Sequence, residues 1–513
     1  MMTKAHFLWV DDEIDLLKPH ILFLEEKGYS TDCASNGRDA INLCHSSAYD
    51  IIFLDENMPG LTGLETLTII HEFKPDVPVV MITKSEDEGI MNQAIGKKIA
   101  DYLIKPVHPK QILSTVKKLL EKRDLISDTV ANNYRNAYHQ LSNDIKESST
   151  SDDWKAVYKS IVYWELELER SNNPLFDLPN MQKHEANISF NKFIKKNYKD
   201  WIATRNPILS PFLFESYVYP ILDEGEKLFF ILIDNFRLDQ WEGIKDLVYQ
   251  YHNYVEDIYF SILPTTTLYS RNSIFSGLMP RQILEKYPQL WVDESEDQGK
   301  NQHEELLIHN NLQNSGRKET YSYHKINSNS EGMKLIERFT DLEKKDLNVM
   351  VFNFIDSLSH SRTDSKMLQE LISDEAAYRS VTKSWFMHSP LLLLLKRIAA
   401  KGYKTIITSD HGSVRVKNAI KIIGDNETNK NLRYKYGKSL SYDPKKVFEI
   451  IHPENFGLPS PNLSTRYIFA QNQDYFIYQN NFNNYMSYYN NSFQHGGISM
   501  EEMMVPIITL TPK

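Results

Sequence analysis

Cysteine is nearly absent from this sequence, with only Cys33 and Cys44 in 513 residues. So few cysteines in a chain this long exclude a disulfide framework, and both read as reduced, buried small residues. No apolar run reaches the roughly 18 residues that a membrane-spanning helix needs. The N-terminus leads straight into a strand, so no signal peptide is expected either. Positive charge is in deficit: 58 Lys and Arg stand against 68 Asp and Glu, a formal net charge of -10. That balance excludes general nucleic-acid or membrane-surface binding, which needs a basic face. A compact basic recognition helix is missing as well. Lys192, Lys195, Lys196 and Lys199 fall on one stretch that reads as a solvated helix face. What is present is 41% hydrophobic residues, with 29 Tyr and 24 Phe, ample for several cores. Length alone predicts about three domains, and the whole chain is expected to be soluble and cytoplasmic.

From Met1 to about Leu120, strand and helix signals alternate over short connections, the pattern of a doubly wound parallel sheet. Phe7–Val10 ends in Asp11, Asp12 and Glu13, and Ile51–Leu54 ends in Asp55. Val77–Ile82 ends in Thr83, and Tyr102–Ile104 ends in Lys105-Pro106. One sheet edge thus collects acids, a hydroxyl and an amine. Asp11, Asp12 and Asp55 repel one another and favour a hard cation such as Mg2+, with the backbone carbonyl of Asn57 as a further oxygen. A carboxylate so neutralised can attack a phosphoryl donor. Lys105 would then pair with the phosphoryl group and Thr83 hydrogen-bond to it. The segment, 1–121, resembles the receiver domain of bacterial two-component response regulators. The resemblance implies that Asp55 is phosphorylated by a sensor histidine kinase. It also implies switch residues Thr83, Tyr102 and Lys105, and a cis Lys105–Pro106 bond.

From Gln111 the pattern turns helical, with Ile112, Val116, Leu119 and Leu120 on one stripe. Ser151-Asp152-Asp153 is a helix start, Trp154–Leu168 has helical spacing, and a third helix is expected from about His184 to Ile202. Residues 122–208 read as a helical-bundle connector and a surface for phosphorylation-dependent homodimerisation.

The α/β pattern returns over 209–513. Leu228–Ile233 ends in Asp234, and Val349–Ile355 ends in Asp356 with His360 four residues on. Thr405–Thr408 runs to Asp410, His411 and Gly412, where glycine allows a sharp turn. Tyr259–Leu263 leads into Pro264-Thr265-Thr266-Thr267 and a helical stretch, so a hydroxyl faces the N–H groups of a helix start. His495 stands in a Gly-rich turn. Ligands collect at the carboxyl ends of strands in open α/β sheets. Mixed carboxylate and imidazole donors suit Zn2+ or Mn2+, and two such sites make a clamp for displacement at phosphorus.

The order Asp, Pro-Thr-x-Thr, Asp-x-x-x-His, Asp-His-Gly, His-Gly-Gly resembles the alkaline-phosphatase superfamily, its PglZ branch in particular. The resemblance implies one Zn2+ on Asp234, Asp410 and His411, and a second on Asp356, His360 and His495. It implies Thr267 as nucleophile, preferred over Thr265 and Thr266. Receiver, connector and PglZ domain together resemble a family of response regulators associated with type IX secretion in Bacteroidetes. That family implies a sigma factor as partner and phosphodiesterase activity on oligonucleotides or cyclic oligonucleotides. A different reading keeps the PglZ half as a metal-stabilised, non-catalytic module that binds a partner such as a sigma factor. Two further stretches carry less: Trp291–Glu305 reads as an exposed insertion. Asn480–Ser492 reads as an exposed turn, with Phe482, Tyr485, Tyr488 and Tyr489 as the stacking alternative.

Overall fold

The computed structural model describes residues 5–84, 99–171, 173–292, 302–424, 429–479 and 482–513. They fall into two compact units, Met1–Asn133 with Ser171–Asn173, and Tyr134–Arg170 with Pro174–Lys513. In the first unit, β1 (His6–Val10), β2 (Ser30–Ala34), β3 (Ile51–Asp55), β4 (Val79–Thr83) and β5 (Asp101–Ile104) form a parallel sheet ordered β2-β1-β3-β4-β5. Alternate residues serve two cores. Leu8, Val10, Ile52, Leu54 and Met81 pack on one face, and Phe7, Trp9, Phe53, Val80 and Ile82 on the other. Both faces are therefore covered, which is why β1, β3 and β4 read as unbroken apolar runs. The edge strand β2, Ser-Thr-Asp-Cys-Ala, has no such run and the sequence does not announce it. It also corrects one expectation: Cys33 lies on this edge and is exposed, whereas Cys44 is buried against the sheet.

Three long helices follow: Pro109–Glu147, Ser151–Arg170 and Leu178–Thr204. Residues of the first belong to both units. Within the second unit, the helices share a core with the sheet domain. Trp154 packs on Phe190, and Trp201 on Phe260 at 4.9 Å between ring centroids. Lys195 and its neighbouring lysines are exposed, as a solvated face requires.

The large sheet is ordered β7-β18-β10-β6-β9-β8, from β6 (Leu228–Ile233), β7 (His252–Phe260), β8 (Tyr321–Ile326), β9 (Leu347–Phe352), β10 (Lys404–Thr408) and β18 (Met504–Pro512). Strands β10, β6, β9 and β8 are parallel, while β18 inserts antiparallel between β10 and β7. Register sets Thr408 beside Leu232 and Ile233 beside Phe352, so three central strands end together. Smaller sheets cap that edge. β11 (Val414–Arg415) pairs with β17 (Phe493–Gln494), and β12 (Asn418–Ile422) with β16 (Asp474–Tyr478). β13 (Tyr434–Gly437), β14 (Val447–Ile450) and β15 (Arg466–Ala470) make a third sheet, ordered β13-β15-β14. No described helix is long and apolar enough to cross a membrane.

Candidate functional site

Strands β6, β9 and β10 stop in register, and Asp234 and Asp410 follow two of them. β9 ends at Phe352 rather than Ile355, so Asp356 reaches the same edge from the first turn of the helix Phe354–Asp364. Two donor groups form there, Asp234 with Asp410 and His411, and Asp356 with His360 and His495. Within each, one ligand atom per residue lies within 4.8 Å of the others. The His411 and His495 rings stack at 4.2 Å between centroids, so the two groups are neighbours. His411 Nε2 is 3.7 Å from Asp234 Oδ1, and His495 Nε2 is 3.6 Å from Asp356 Oδ1. His360 Nε2 is 3.4 Å from Asp356 Oδ2.

Backbone contacts aim the imidazoles. His411 Nδ1 lies 3.2 Å from the Gly412 carbonyl, and His495 Nδ1 lies 3.3 Å from that of Thr265. A proton on each Nδ1 leaves Nε2 free as a ligand, the usual orientation of metal-binding histidines. Burial, together with the adjacent His411, pushes the His495 imidazole down to about 3, which keeps it neutral. Burial raises the Asp234 carboxyl well above the usual range. The same burial acts on Asp410, but the charges of Arg271 and His411 and a backbone hydrogen bond together hold that carboxyl low. At Asp356, burial is outweighed by the hydrogen bond and charge of His360, and the carboxyl lies low.

The glycine of the Asp410 turn has a different reason from the sharp turn expected. No positive φ is recorded at Gly412; instead, a Cβ there would sit 2.0 Å from the Glu501 carbonyl oxygen. The backbone passes too close for any side chain. In the His495 turn, by contrast, Gly496 has φ 122°, a conformation that glycine alone adopts readily. Glu502 holds this turn: it accepts the Gly497 N–H at 2.9 Å and is paired with buried Arg433.

The three threonines separate by role. Thr265 donates to the Gly497 carbonyl and accepts from the Gly496 N–H, both at 3.0 Å. Thr266 precedes the helix Thr267–Ser276 as its N-cap. Thr267 Oγ1 lies 3.2 Å from His411 Nε2 and 3.4 Å from Asp234 Oδ1. Tyr269 and Ser270 N–H groups bond back to Thr266, whereas those of Thr267 and Leu268 have no partner among the described residues. A hydroxyl and two open N–H groups thus meet at the positive end of a helix.

Sequence reasoning left several residues without a role. Arg271, one turn after Thr267, is buried with its guanidinium against Asp234, Asp410, Glu304 and Asn353. Its donors are taken by carboxylates. Glu304 is also bonded to Tyr323 and Lys325 of β8, and it begins a buried helix at the end of the stretch read as exposed; 293–301 lie outside the described residues. Asn235, at φ 62°, donates to Asp356 Oδ1 at 3.3 Å and leaves its own buried Oδ1 without a partner among the described residues. Asn after a strand-end Asp, a residue that tolerates the left-handed region, was the available signal. Phe482–Tyr489 is a helix rather than the exposed turn expected.

The first unit holds its own cluster. Asp11, Asp12 and Asp55 supply carboxylate oxygens within 4.8 Å of one another. Lys105 Nζ lies 2.7 Å from Asp11 and 3.1 Å from Asp55. Burial raises the Asp55 carboxyl, opposed by Lys105 and reinforced by Asp11 and Asp12. Asp55 Oδ1 is buried with no hydrogen-bond donor among the described residues, as a site for a hard cation would leave it. Thr83 ends β4, buried, and Tyr102 lies half-buried on β5. Asn57 is exposed in the turn after β3, and the Lys105–Pro106 bond is cis. All-oxygen donors here, and mixed oxygen and nitrogen donors in the second unit, fit a hard cation and a borderline one respectively.

A strand-end acidic cluster with an opposed lysine, followed by a sheet whose carboxyl edge gathers six metal-type donors around a threonine, defines a response regulator with an alkaline-phosphatase-like output domain. Comparison with known families gives the same division. The BREX system PglZ alkaline phosphatase-like domain matches residues 213–510, the PorX response regulator linker domain 124–202, and the response regulator receiver domain 7–117. The chain belongs to the PglZ family, and its three parts have the PorX-type arrangement. Among curated proteins, transcriptional regulatory protein ResD of Bacillus subtilis is 35% identical over 130 residues, 25% of this chain and 54% of ResD. SrrA of Staphylococcus aureus is 30% identical over 115 residues, 22% of this chain and 47% of SrrA. The chain spans about half the length of the curated relatives it matches. Among solved structures, a receiver domain protein from Methanospirillum hungatei is 23% identical, with TM-score 0.23, over 23% of this chain and 94% of that one. A two-component response regulator from Clostridium difficile is 30% identical, with TM-score 0.22, over 23% and 97%. A receiver domain implies a sensor histidine kinase as partner, and a PglZ domain suggests a hydrolase of the alkaline-phosphatase superfamily.

Proposed function

We propose that this chain is a phosphorylation-controlled phosphodiesterase: a receiver over 1–121, a helical connector over 122–208 and a catalytic domain over 209–513. One observation carries the reading. The Thr267 hydroxyl lies between Asp234 and His411 at a helix start, with a second donor group just beyond the stacked His411 and His495 rings. Thr267 Oγ1 is held beside Asp234 and His411, where a cation on those donors would favour release of its proton to water. The open N–H groups of Thr267 and Leu268 receive the phosphoryl oxygens. Two Zn2+ ions, one on Asp234, Asp410 and His411 and one on Asp356, His360 and His495, would supply Lewis acidity and neutralise charge at phosphorus. Thr267 then bonds to phosphorus as the ester alcohol departs, and water cleaves the phosphothreonine to return the hydroxyl. Arg271 keeps the Asp234 and Asp410 carboxylates in place.

Upstream, a sensor histidine kinase phosphorylates Asp55 with Mg2+ on Asp11, Asp12, Asp55 and the Asn57 carbonyl. Thr83, Tyr102 and Lys105 respond, and the connector passes the change on by homodimerisation. The setting is cytoplasmic, the substrate an oligonucleotide or cyclic oligonucleotide, and the output regulation of type IX secretion. The test is hydrolysis of bis(p-nitrophenyl) phosphate by the full chain with Zn2+. Thr267→Val and His411→Ala are each expected to lower kcat/KM by about a thousandfold, roughly 4 kcal/mol. Full activity in both variants would falsify the proposal.

Arg271 favours a second reading, since it offsets Asp234 and Asp410 without any metal ion. On that reading the domain is a scaffold that binds a partner such as a sigma factor, and Thr267→Val leaves the regulatory output in cells unchanged.

A further inference from the structure

The third connector helix, Leu178–Thr204, buries a polar stripe where an apolar one would pack at less cost. Lys183, Asn187 and Asn191 stand one turn apart on one face, and all three are buried. Asn187 uses both ends of its amide on a single short turn. Its Oδ1 accepts the Met500 N–H at 2.8 Å, and its NH2 group donates to Glu501 Oε2 at 2.9 Å. Met500 opens the helix Met500–Met503, so its N–H has no acceptor within that helix. The Lys183 ammonium lies 3.9 Å from Glu501 Oε1 and 2.6 Å from Glu165 Oε1 on the preceding helix. Asn191 donates to Asn472, in the turn before β16.

The next residue in that turn serves both donor groups. The Glu502 carbonyl accepts the Gly412 N–H at 3.1 Å, directly after Asp410 and His411. Its carboxylate accepts the Gly497 N–H at 2.9 Å and so braces the turn that presents His495. Residues 500–502 thus bear on the connector through Met500 and Glu501, and on a ligand turn of each donor group through Glu502.

Resting on the reading that the six donors hold Zn2+, we infer that Asn187, supported by Lys183, is a positioning residue of the metal edge. It acts through Glu502 rather than on substrate. By fixing residues 500–502 it sets where His411 and His495 stand, and hence how tightly both donor groups hold a cation. The connector is in this sense part of the site it precedes. A shift of its third helix against residues 500–502 changes metal affinity first and turnover only in consequence.

The test measures the Zn2+ affinity of the full chain by competition with a chromogenic chelator. Asn187→Ala should lower it about tenfold, the lower end of what losing the outer partners of metal ligands costs. Gln182→Ala is the control. Gln182 is buried on the same helix but bonds to Tyr134, Tyr138 and Ser142 of the first connector helix. Its loss should lower the urea midpoint and leave Zn2+ affinity unchanged. Asn187→Asp sets a carboxylate against Glu501 and should also weaken Zn2+ binding. Adding Glu501→Gln should recover most of that loss, since the new amide donates to the new carboxylate and Met500 keeps its acceptor. This exchange decides the matter even if Asn187→Ala does not fold. Native Zn2+ affinity in Asn187→Ala, an equal fall in Gln182→Ala, or no recovery in the exchanged pair overturns the positioning role alone. If the native chain takes up no Zn2+, the metal reading falls and the role of Asn187 falls with it.

Discussion

Arg271 is the residue around which the charge of the site balances. Asp234, Asp410 and Glu304 are all buried, and its guanidinium reaches all three. Removing the cation from a buried ion pair costs about 3–5 kcal/mol, because the carboxylates stay behind unpaired. Arg271→Met should therefore lower the urea midpoint sharply in chelator, and Zn2+ should recover part of the loss by taking the same carboxylates. An equal loss with and without Zn2+ would mean that the arginine, rather than a metal, is the native partner of Asp234 and Asp410. At this scale the sequence was informative where a residue ends a strand. Asp234, Asp410 and Asp55 come at the ends of apolar strands, and Asp356 follows one within the first turn of a helix. Arg271 and Glu304 follow none, and their meeting depends on the packing of two helices that no local pattern records.

The same contrast holds for elements. Strands β1, β3, β6, β9 and β10 are buried throughout or nearly so, and their composition shows it. The edge strands β2 and β8 are half-exposed and polar, and passed unnoticed. The helix Phe482–Tyr489 carries Phe482, Tyr485, Met486 and Tyr489 at helical spacing, but it is short, set among asparagines and has no buried residue, so the stripe did not stand out. The turn after β10 shows how an element can depend on one missing atom. With Glu501 backbone in the way of a Cβ, Gly412→Ala must push two chain segments apart. The expected cost is about 1–3 kcal/mol, the range for overpacking a core. Denaturant unfolding would measure it, and a neutral result would show the turn to be pliable. A drop in Zn2+ affinity should accompany the loss, since Asp410 and His411 are carried by this turn.

Across the whole molecule, the two units carry three donor clusters of two chemical kinds. Metal analysis of the full chain should return two Zn2+ and one Mg2+, with Asp55→Asn removing the Mg2+ and His495→Ala one Zn2+. Zn2+ at a hundred times its dissociation constant should add about 2.7 kcal/mol per site to the second unit. A melting profile indifferent to Zn2+ would count against metal at that edge. The order of the domains could be read from the sequence because each has its own periodicity. How a phosphoryl group at Asp55 alters Thr267 could not, since no motif encodes coupling between distant sites.

The position of β18 has one more consequence. Residues 504–512 lie between β10 and β7, so β7 stays apart from β10 until this strand takes its place. His495 and the Glu502 that braces its turn arrive only just before. A ribosome delivers these segments after β6, β9 and β10, while domains already synthesised fold ahead of them. A nascent chain stalled between β11 and His495 would carry a complete receiver sequence joined to an output edge that lacks one of its six donors.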